Sequence, residues 1–344
     1  MKLFNKNNIA ILLTYLLLAF PFFYFIYKFG VLLKGYDDAN SYLILFRDLD
    51  PKGVPAPFNM RLISPILIHL LHGTGLFYIT ECAIDAFPAV DKSYYFSNIF
   101  FNFICVTLTC HSIFLTFSKL GFSKVLSFLS GVLYLLGFGT IFYMFMPGVD
   151  ALSILLFTWL LFFYQKKSYW VLPFFIAFIF QREYYFLFFI ILAILDYIKQ
   201  GRIKYFIHIF LASLICWTVY FLLRKYVFYS PRWNFNTEPG SLLENIINMK
   251  LDLFTMFRQT IMTMNIYFIY ILILVYKKIN GFKIDSYHFY ITIVLFVQIT
   301  ILSIATTAGN NNGRYFYLAT PFFLFLILKE LTPMIRIEFN STKS

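Results

Sequence analysis

Long apolar runs, separated by short polar segments, recur along the whole chain. Because a spanning helix needs about 20 mostly apolar residues, each run is a candidate transmembrane helix. The candidate runs are 9–33, 94–118, 123–146, 147–165, 169–181, 184–198, 204–228, 252–276, 286–307 and 315–331. The pattern predicts an all-α polytopic membrane protein with about ten transmembrane helices, folded as a single integral membrane domain over 1–344.

The first run, 9–33, follows two lysines and is much longer than the roughly 7–15 apolar residues of a cleaved signal peptide. We therefore expect a first transmembrane helix that is retained. A long first loop, 34–93, follows it. Within this loop, 61–80 is apolar but interrupted by charged and proline residues, which predicts one or two interfacial helices.

The run 169–198 is too long for one ordinary span and too short for two full ones. Its middle contains Gln181-Arg182-Glu183, and lysine clusters flank both of its ends. If both clusters are cytoplasmic, the number of crossings between them is even. We therefore expect a hairpin of two short helices that turns at Arg182-Glu183.

With this hairpin, the short loops place 15 of the 28 Lys and Arg residues on one side of the membrane, together with 4 of the 16 acids. Lys and Arg in short loops set orientation, so this side is predicted to be cytoplasmic. The protein is expected in the inner (cytoplasmic) membrane, with a cytoplasmic N-terminus and a cytoplasmic tail at 332–344. The other 12 acids collect on the outer face and indicate a polar working face there.

The composition agrees with this interpretation, because 60% of the residues are hydrophobic and only 13% are charged. Soluble domains carry about 25% charged residues, so a soluble enzyme is excluded. The net charge is +12, but no block of Lys and Arg exists, which argues against a nucleic-acid partner.

Two adjacent carboxylates, Asp37 and Asp38, follow the first predicted span. Neighbouring residues in a helix point about 100° apart, so at most one of them reaches a given substrate proton. One interpretation is a general base at the membrane surface. The other is a helix N-cap with an acid in the first turn.

Three arginines are the candidate anion ligands. Arg61 begins an apolar segment and either reaches lipid headgroups or holds a phosphate by two hydrogen bonds. Arg314 follows a Gly/Asn-rich turn and is an interfacial anchor or a ligand for an anionic lipid. Arg182 and Glu183 lie in an apolar run, where ionisable groups indicate function, unless they only pair at a hairpin tip.

Other polar residues are explained by helix structure. Asp150 follows Pro147 at the start of a span, which is favourable chemistry for a helix start. His69 and His72 are spaced to share a helix face, but a metal site needs further ligands. The sequence has no Gly-rich phosphate loop and no nucleophile elbow.

The order of these features resembles the multi-pass bacterial membrane glycosyltransferases of the class C (GT-C) fold, which include protein mannosyltransferases and lipid A aminoarabinose transferases. The resemblance spans roughly 9–331, without the soluble outer domain that some members carry after the last span. The matching residues are Asp37-Asp38, Arg61 with Pro65, Pro147 with Asp150, Arg182-Glu183 and Arg314-Tyr315.

The resemblance implies transfer of a sugar from a polyprenyl-phosphate donor to a glycan, lipid or protein acceptor at the outer surface. Asp37 or Asp38 is then the expected base, and Arg61, Arg182 and Arg314 are expected to bind the lipid phosphate. Glu183, Asp150 and Tyr315 are expected to support them. No metal ligand is assigned, although the adjacent acids permit a divalent metal.

Three alternatives stay open. A polysaccharide polymerase or ligase would also use lipid-linked sugars and outer arginines, but its carboxylates would be dispensable. A transporter or flippase would place ionisable groups near the bilayer midplane, and Arg182-Glu183 is the feature that favours it. A structural membrane subunit without catalysis is the third.

Overall fold

The computed structural model describes residues 6–29, 36–54, 58–75, 92–200, 203–228, 258, 261, 265–307 and 312–341. Within these ranges every regular element is helical, which confirms the predicted all-α class. Three helical segments there are long and apolar enough to cross a membrane: Lys6–Tyr27, Ser93–Lys119 and Lys204–Tyr226. The other helices are shorter than a full span or less uniformly apolar.

The helices are numbered here in chain order. They are α1 (Lys6–Phe29), α2 (Tyr36–Asp48), α3 (Ile63–Gly73), α4 (Lys92–Lys119), α5 (Lys124–Leu136), α6 (Asp150–Gln165), α7 (Val171–Ile179), α8 (Tyr184–Gln200), α9 (Ile203–Tyr226), α10 (Asn265–Ile279), α11 (Ser286–Thr307), α12 (Asn312–Leu318) and α13 (Thr320–Ser341). Two 3₁₀ turns, Pro51–Gly53 and Phe58–Met60, lie between α2 and α3.

Helix α4 lies at the centre of the bundle and packs against α1, α3, α5 and α6. Most of its apolar window is buried (72%), whereas the window of α1 is only 22% buried and that of α9 only 28%. The exposed faces of α1 and α9 are apolar, as expected for helices that contact lipid. Inside α4, Thr107 and Thr109 donate to the carbonyls of Phe103 and Cys105, which satisfies their buried hydroxyls.

Two predicted continuous spans are interrupted. The run 123–146 forms α5 only to Leu136, and a single π turn, Thr140–Met144, follows Gly137. A Cβ at Gly139 would overlap the ring of Tyr317, so the backbone passes this ring closely where glycine allows it. The run 315–331 is divided at Ala319 into α12 and α13, and α13 continues through the predicted tail to Ser341.

The predicted break in 169–198 is present, because α7 ends at Ile179 and α8 begins at Tyr184. The ring of Phe175 lies 6.3 Å from that of Phe186 and 5.4 Å from that of Phe189. Phe175 of α7 therefore contacts α8 across the turn, while α7 also packs against α6 and α9.

The first loop contains two helices, α2 and α3, which pack against each other and against α4. Helix α3 lies within the apolar segment 61–80, as predicted, and 76–80 lie outside the described residues. Tyr42, Phe46, Phe58 and Ile68 form a separate buried cluster between these elements. This cluster fixes the position of Arg61, which follows the second 3₁₀ turn.

Replacement of Gly131 by alanine is expected to lower the free energy of unfolding by about 1–3 kcal/mol, since overpacking forces neighbours to move. The new Cβ would overlap the Tyr15 hydroxyl and lie 2.9 Å from the carbonyl oxygen of Cys110. Tyr15 is not free to withdraw, because its hydroxyl donates to the carbonyl of Phe128 (2.8 Å). Thermal unfolding in detergent measures the effect. Gly73→Ala is the control, since a Cβ there meets nothing within 4 Å. Equal unfolding midpoints for the two variants would contradict the close packing of Gly131 against Tyr15 and Cys110.

Candidate functional site

The start of α6 is fixed by two asparagines of α4. Asn102 donates its amide to the carbonyl of Met146 (2.5 Å), and the backbone N–H of Gly148 donates to Asn98 (3.1 Å). Asp150 is the first residue of α6, as the helix-start interpretation predicted. Its side chain is 2% exposed, so this buried carboxylate needs partners inside the protein.

Asp150 holds two of the predicted arginines. One terminal nitrogen of Arg182 lies 2.9 Å from one carboxylate oxygen, and Nε of Arg314 donates to the other at 2.5 Å. The two arginine side chains are 4% and 17% exposed. Three segments that are far apart in sequence therefore meet here: the start of α6, the turn between α7 and α8, and α12.

Arg61 reaches the same turn from the first loop. One of its terminal nitrogens lies 3.4 Å from Oε1 of Glu183, and the other donates to the hydroxyl of Tyr42 on α2 at 2.6 Å. Its guanidinium also lies over the ring of Phe58, 5.5 Å from the centroid. Because Glu183 follows Arg182 directly, the two sets of ion pairs form one group, which we call the arginine cluster.

The arginine cluster contains six of the eight residues that the sequence singled out. They are Arg61, Asp150, Arg182, Glu183, Arg314 and Tyr315, whose ring lies 6.0 Å from the Arg182 guanidinium. Asp37 and Asp38 lie in the first turn of α2, and their side chains are outside the described residues. Their approach to the cluster remains a prediction.

Sequence reasoning missed the role of Gln181, which is fully buried beside Arg182. Its amide nitrogen donates to the carbonyl of Val149 (2.7 Å) and to the hydroxyl of Ser64 (2.8 Å), and its oxygen accepts from the backbone N–H of Ser64 (3.2 Å). Gln181 thereby joins α3, α6 and the turn before α8. The only sequence signal was a polar side chain inside an apolar run.

Among the described residues, the arginine cluster has more positive than negative charge. Arg224 of α9 lies close enough to act on Glu183, so within the described ranges four guanidinium groups act on the carboxylates of Asp150 and Glu183. Burial raises the pKa of Glu183, but Arg61, Arg182, a backbone hydrogen bond and Arg224 together bring it below its ordinary value. Glu183 is therefore ionised at neutral pH, and the excess positive charge suits an anionic ligand.

Two donors in the cluster lack a partner within the described ranges. Nε of Arg61 and Nε of Arg182 are buried and have no hydrogen-bond partner among the described residues. Buried donors are normally paired, so unpaired guanidinium N–H groups in a positively charged cluster indicate a site for an acceptor such as a phosphate oxygen.

The two histidines of α3 are accounted for by local contacts. Nδ1 of His69 lies 2.8 Å from the carbonyl oxygen of Phe46, and Nε2 of His72 lies 2.9 Å from the hydroxyl of Ser93. His72 also stacks on Tyr94 with the ring centroids 3.8 Å apart. Across the described ranges no group of three or more His, Cys, Asp and Glu residues is placed to hold a metal ion.

The fold and the site define an all-helical protein with helices that are long and apolar enough to cross a membrane and with a buried arginine cluster between them. Comparisons with protein-family models, curated proteins and solved structures found no match to the chain. The resemblance to class C glycosyltransferases therefore rests on the residue pattern, and the function has to be inferred from the chemistry of the cluster.

Proposed function

We propose that this protein is a multi-pass membrane glycosyltransferase that moves a sugar from a polyprenyl-phosphate donor to an acceptor at the extracytoplasmic face. The observation that carries the proposal is the meeting of Arg61, Arg182 and Arg314 in one largely buried cluster, in which positive charges outnumber negative ones among the described residues. Arginines on isolated surface positions would have served as anchors to lipid headgroups. Here they lie together, and Nε of Arg61 and of Arg182 has no hydrogen-bond partner in the described part of the chain, which suits a phosphate group.

The reaction needs a base and a site for the leaving group. The acceptor hydroxyl oxygen bonds to the anomeric carbon, the bond from that carbon to the phosphate oxygen breaks, and polyprenyl phosphate leaves. Arg61 and Arg182 stabilise the negative charge that develops on the phosphate. Asp150 and Glu183 keep the guanidinium groups in position through ion pairs. The same ion pairs compensate the negative charges of these two carboxylates.

An aspartate of α2 takes the proton of the acceptor hydroxyl. Asp38 precedes Tyr42 by four positions, which is about one helical turn along the same face. The hydroxyl of Tyr42 contacts Arg61, so this face of α2 leads to the cluster. We therefore favour Asp38 over Asp37 as the base.

The proposed orientation places the cluster outside the cytoplasm. Asp150 and Glu183 lie at the N-terminal ends of α6 and α8, whereas Lys166 and Lys199 lie at the opposite ends of the same helices. Lysines in short loops favour the cytoplasmic side. The inner membrane, a cytoplasmic N-terminus and about ten transmembrane helices are parts of the same proposal.

Separate Asp37→Asn, Asp38→Asn and Arg61→Ala variants test the proposal when glycans of the native host are profiled at equal protein levels. Loss of a general base typically lowers the rate about 10²–10⁴-fold, so the modified glycan should disappear in one aspartate variant and in Arg61→Ala. Arg47→Ala is the matched control, because Arg47 is exposed on α2 and pairs with its neighbour Asp48.

Normal glycans in all three variants would contradict the proposal. If both aspartate variants keep the glycan and Arg61→Ala loses it, the polymerase or ligase is favoured. Accumulation of an untransported lipid-linked sugar on the cytoplasmic side in Arg61→Ala would instead favour the flippase.

A further inference from the structure

A second group of buried charges lies at the other end of the helices. Asp196 lies 13 residues beyond Glu183 on α8, which corresponds to about 20 Å along a helix axis. Near it, Glu330 of α13 forms a buried ion pair with Lys277 and lies 2.9 Å from His288. Ionisable groups at such positions indicate function, and the proposed glycosyl transfer uses none of them.

Two of these groups, Asp196 and His288, line a cavity of about 350 Å³ between α8, α11 and α13. One wall is apolar and includes Leu192, Ile291 and Phe322. The rest is polar, with carboxylates and ammonium groups. An apolar wall beside a charged opening suits an amphipathic ligand better than an inorganic ion.

Asp196 is the buried anionic group of the cavity, with only 5% of the residue exposed. The hydroxyl of Tyr164 donates to it at 2.5 Å, and the hydroxyl of Tyr287 donates to its other oxygen. Lys167, Lys199 and His288 act on it electrostatically, but none of the three forms an ion pair with it among the described residues. A buried carboxylate without a paired cation attracts a cationic ligand.

The cationic groups lie nearer the surface. Lys199 is 40% exposed, lies 3.5 Å from Asp285, and has its ammonium 3.8 Å from the ring centroid of Tyr287. Lys329 is exposed and lies over the ring of Phe325 at 5.4 Å. Both lysines line the cavity with Asp196 and Asp285, so two ammonium groups balance two carboxylates.

We propose that this cavity binds a zwitterionic phosphoamine, the headgroup chemistry of an ethanolamine phospholipid. Its ammonium lies towards Asp196, its phosphodiester towards Lys199 and Lys329, and the first carbons of its chains lie along the apolar wall. The balanced charges favour a zwitterion over a purely anionic lipid. Lysines that flank a span reach the headgroup layer, so the proposed site lies at that level. This proposal does not depend on the proposed glycosyl transfer.

The purified, delipidated full chain tests the proposal by titration with short-chain phosphatidylethanolamine, phosphatidylglycerol and water-soluble glycerophosphoethanolamine. Thermal unfolding and native mass spectrometry report binding. Phosphatidylethanolamine should raise the unfolding midpoint in a saturable manner, and phosphatidylglycerol should not.

Lys329→Gln and Asp285→Asn should each weaken this binding about tenfold. Lys124→Gln removes an exposed lysine of α5 outside the cavity and should change nothing.

Asp196→Asn is the most direct variant, and the two exposed positions decide the result if it fails to fold. Binding of glycerophosphoethanolamine as tight as that of the lipid would uphold the phosphoamine chemistry and identify a soluble source. Equal binding of phosphatidylglycerol, absence of saturable binding, or equal loss in Lys124→Gln would overturn the proposal.

Discussion

Replacement of Asp150 by asparagine is expected to lower the free energy of unfolding by about 3–5 kcal/mol, because removing one partner of a buried ion pair leaves the other charges uncompensated. The carboxylate is 2% exposed and holds both Arg182 and Arg314. Asparagine fills the same space but carries no charge, so both guanidinium groups would lose the buried carboxylate that they share. Thermal unfolding of the purified protein in detergent measures the loss.

An exposed aspartate, Asp48, provides the matched control for this prediction. Asp48 also pairs with an arginine, Arg47, but both side chains are exposed. Exposed pairs contribute little, so Asp48→Asn should leave the unfolding midpoint unchanged. If Asp150→Asn were no more destabilising than Asp48→Asn, the buried ion pairs would not hold the arginine cluster together.

Replacement of Gln181 by leucine is expected to lower the free energy of unfolding by about 2–3 kcal/mol, since it removes hydrogen bonds from several buried polar groups. The carbonyl of Val149 and the backbone N–H of Ser64 would lose the amide that joins them. Because Gln181 precedes Arg182, the arginine would also lose its fixed position. Glycan transfer should therefore fall more than protein abundance does.

Gln298 of α11 provides the control for the glutamine substitution. Both polar atoms of its amide are buried and have no hydrogen-bond partner among the described residues. Gln298→Leu should therefore be neutral or stabilising, because no partner is stranded. A similar loss of stability in both leucine variants would show that Gln181 has no special bonding role.

The helical class and most helix positions follow from the length of the apolar runs. The position of the turn at Arg182-Glu183 also follows, because two charges inside an apolar run mark a break. The interruption after α5 was not predicted from hydropathy, since apolar residues continue through 123–146. At this interruption Gly139 lies close to the ring of Tyr317, a contact between positions far apart in the sequence.

The candidate site was predictable as a set of residues but not as an arrangement. Arg182 was singled out by its apolar surroundings, Arg61 by its place at the start of an apolar segment, and Arg314 by the Gly/Asn-rich turn before it. The pairing of Asp150 with two of them was not predictable, because an acid in the first turn of a helix was already explained by the helix itself. The bonding of Gln181 was hidden for the same reason, since its partners are backbone groups and serines.

The central claim is that the arginine cluster binds the phosphate of a polyprenyl lipid. It is tested most directly by measuring binding of undecaprenyl phosphate and of undecaprenol, which lacks the phosphate, to the purified protein and to its Arg61→Ala variant. The account predicts saturable binding of the phosphate that is at least about tenfold tighter than binding of the alcohol, and a loss of this difference in Arg61→Ala. Equal binding of the two lipids by the unmodified protein would contradict it.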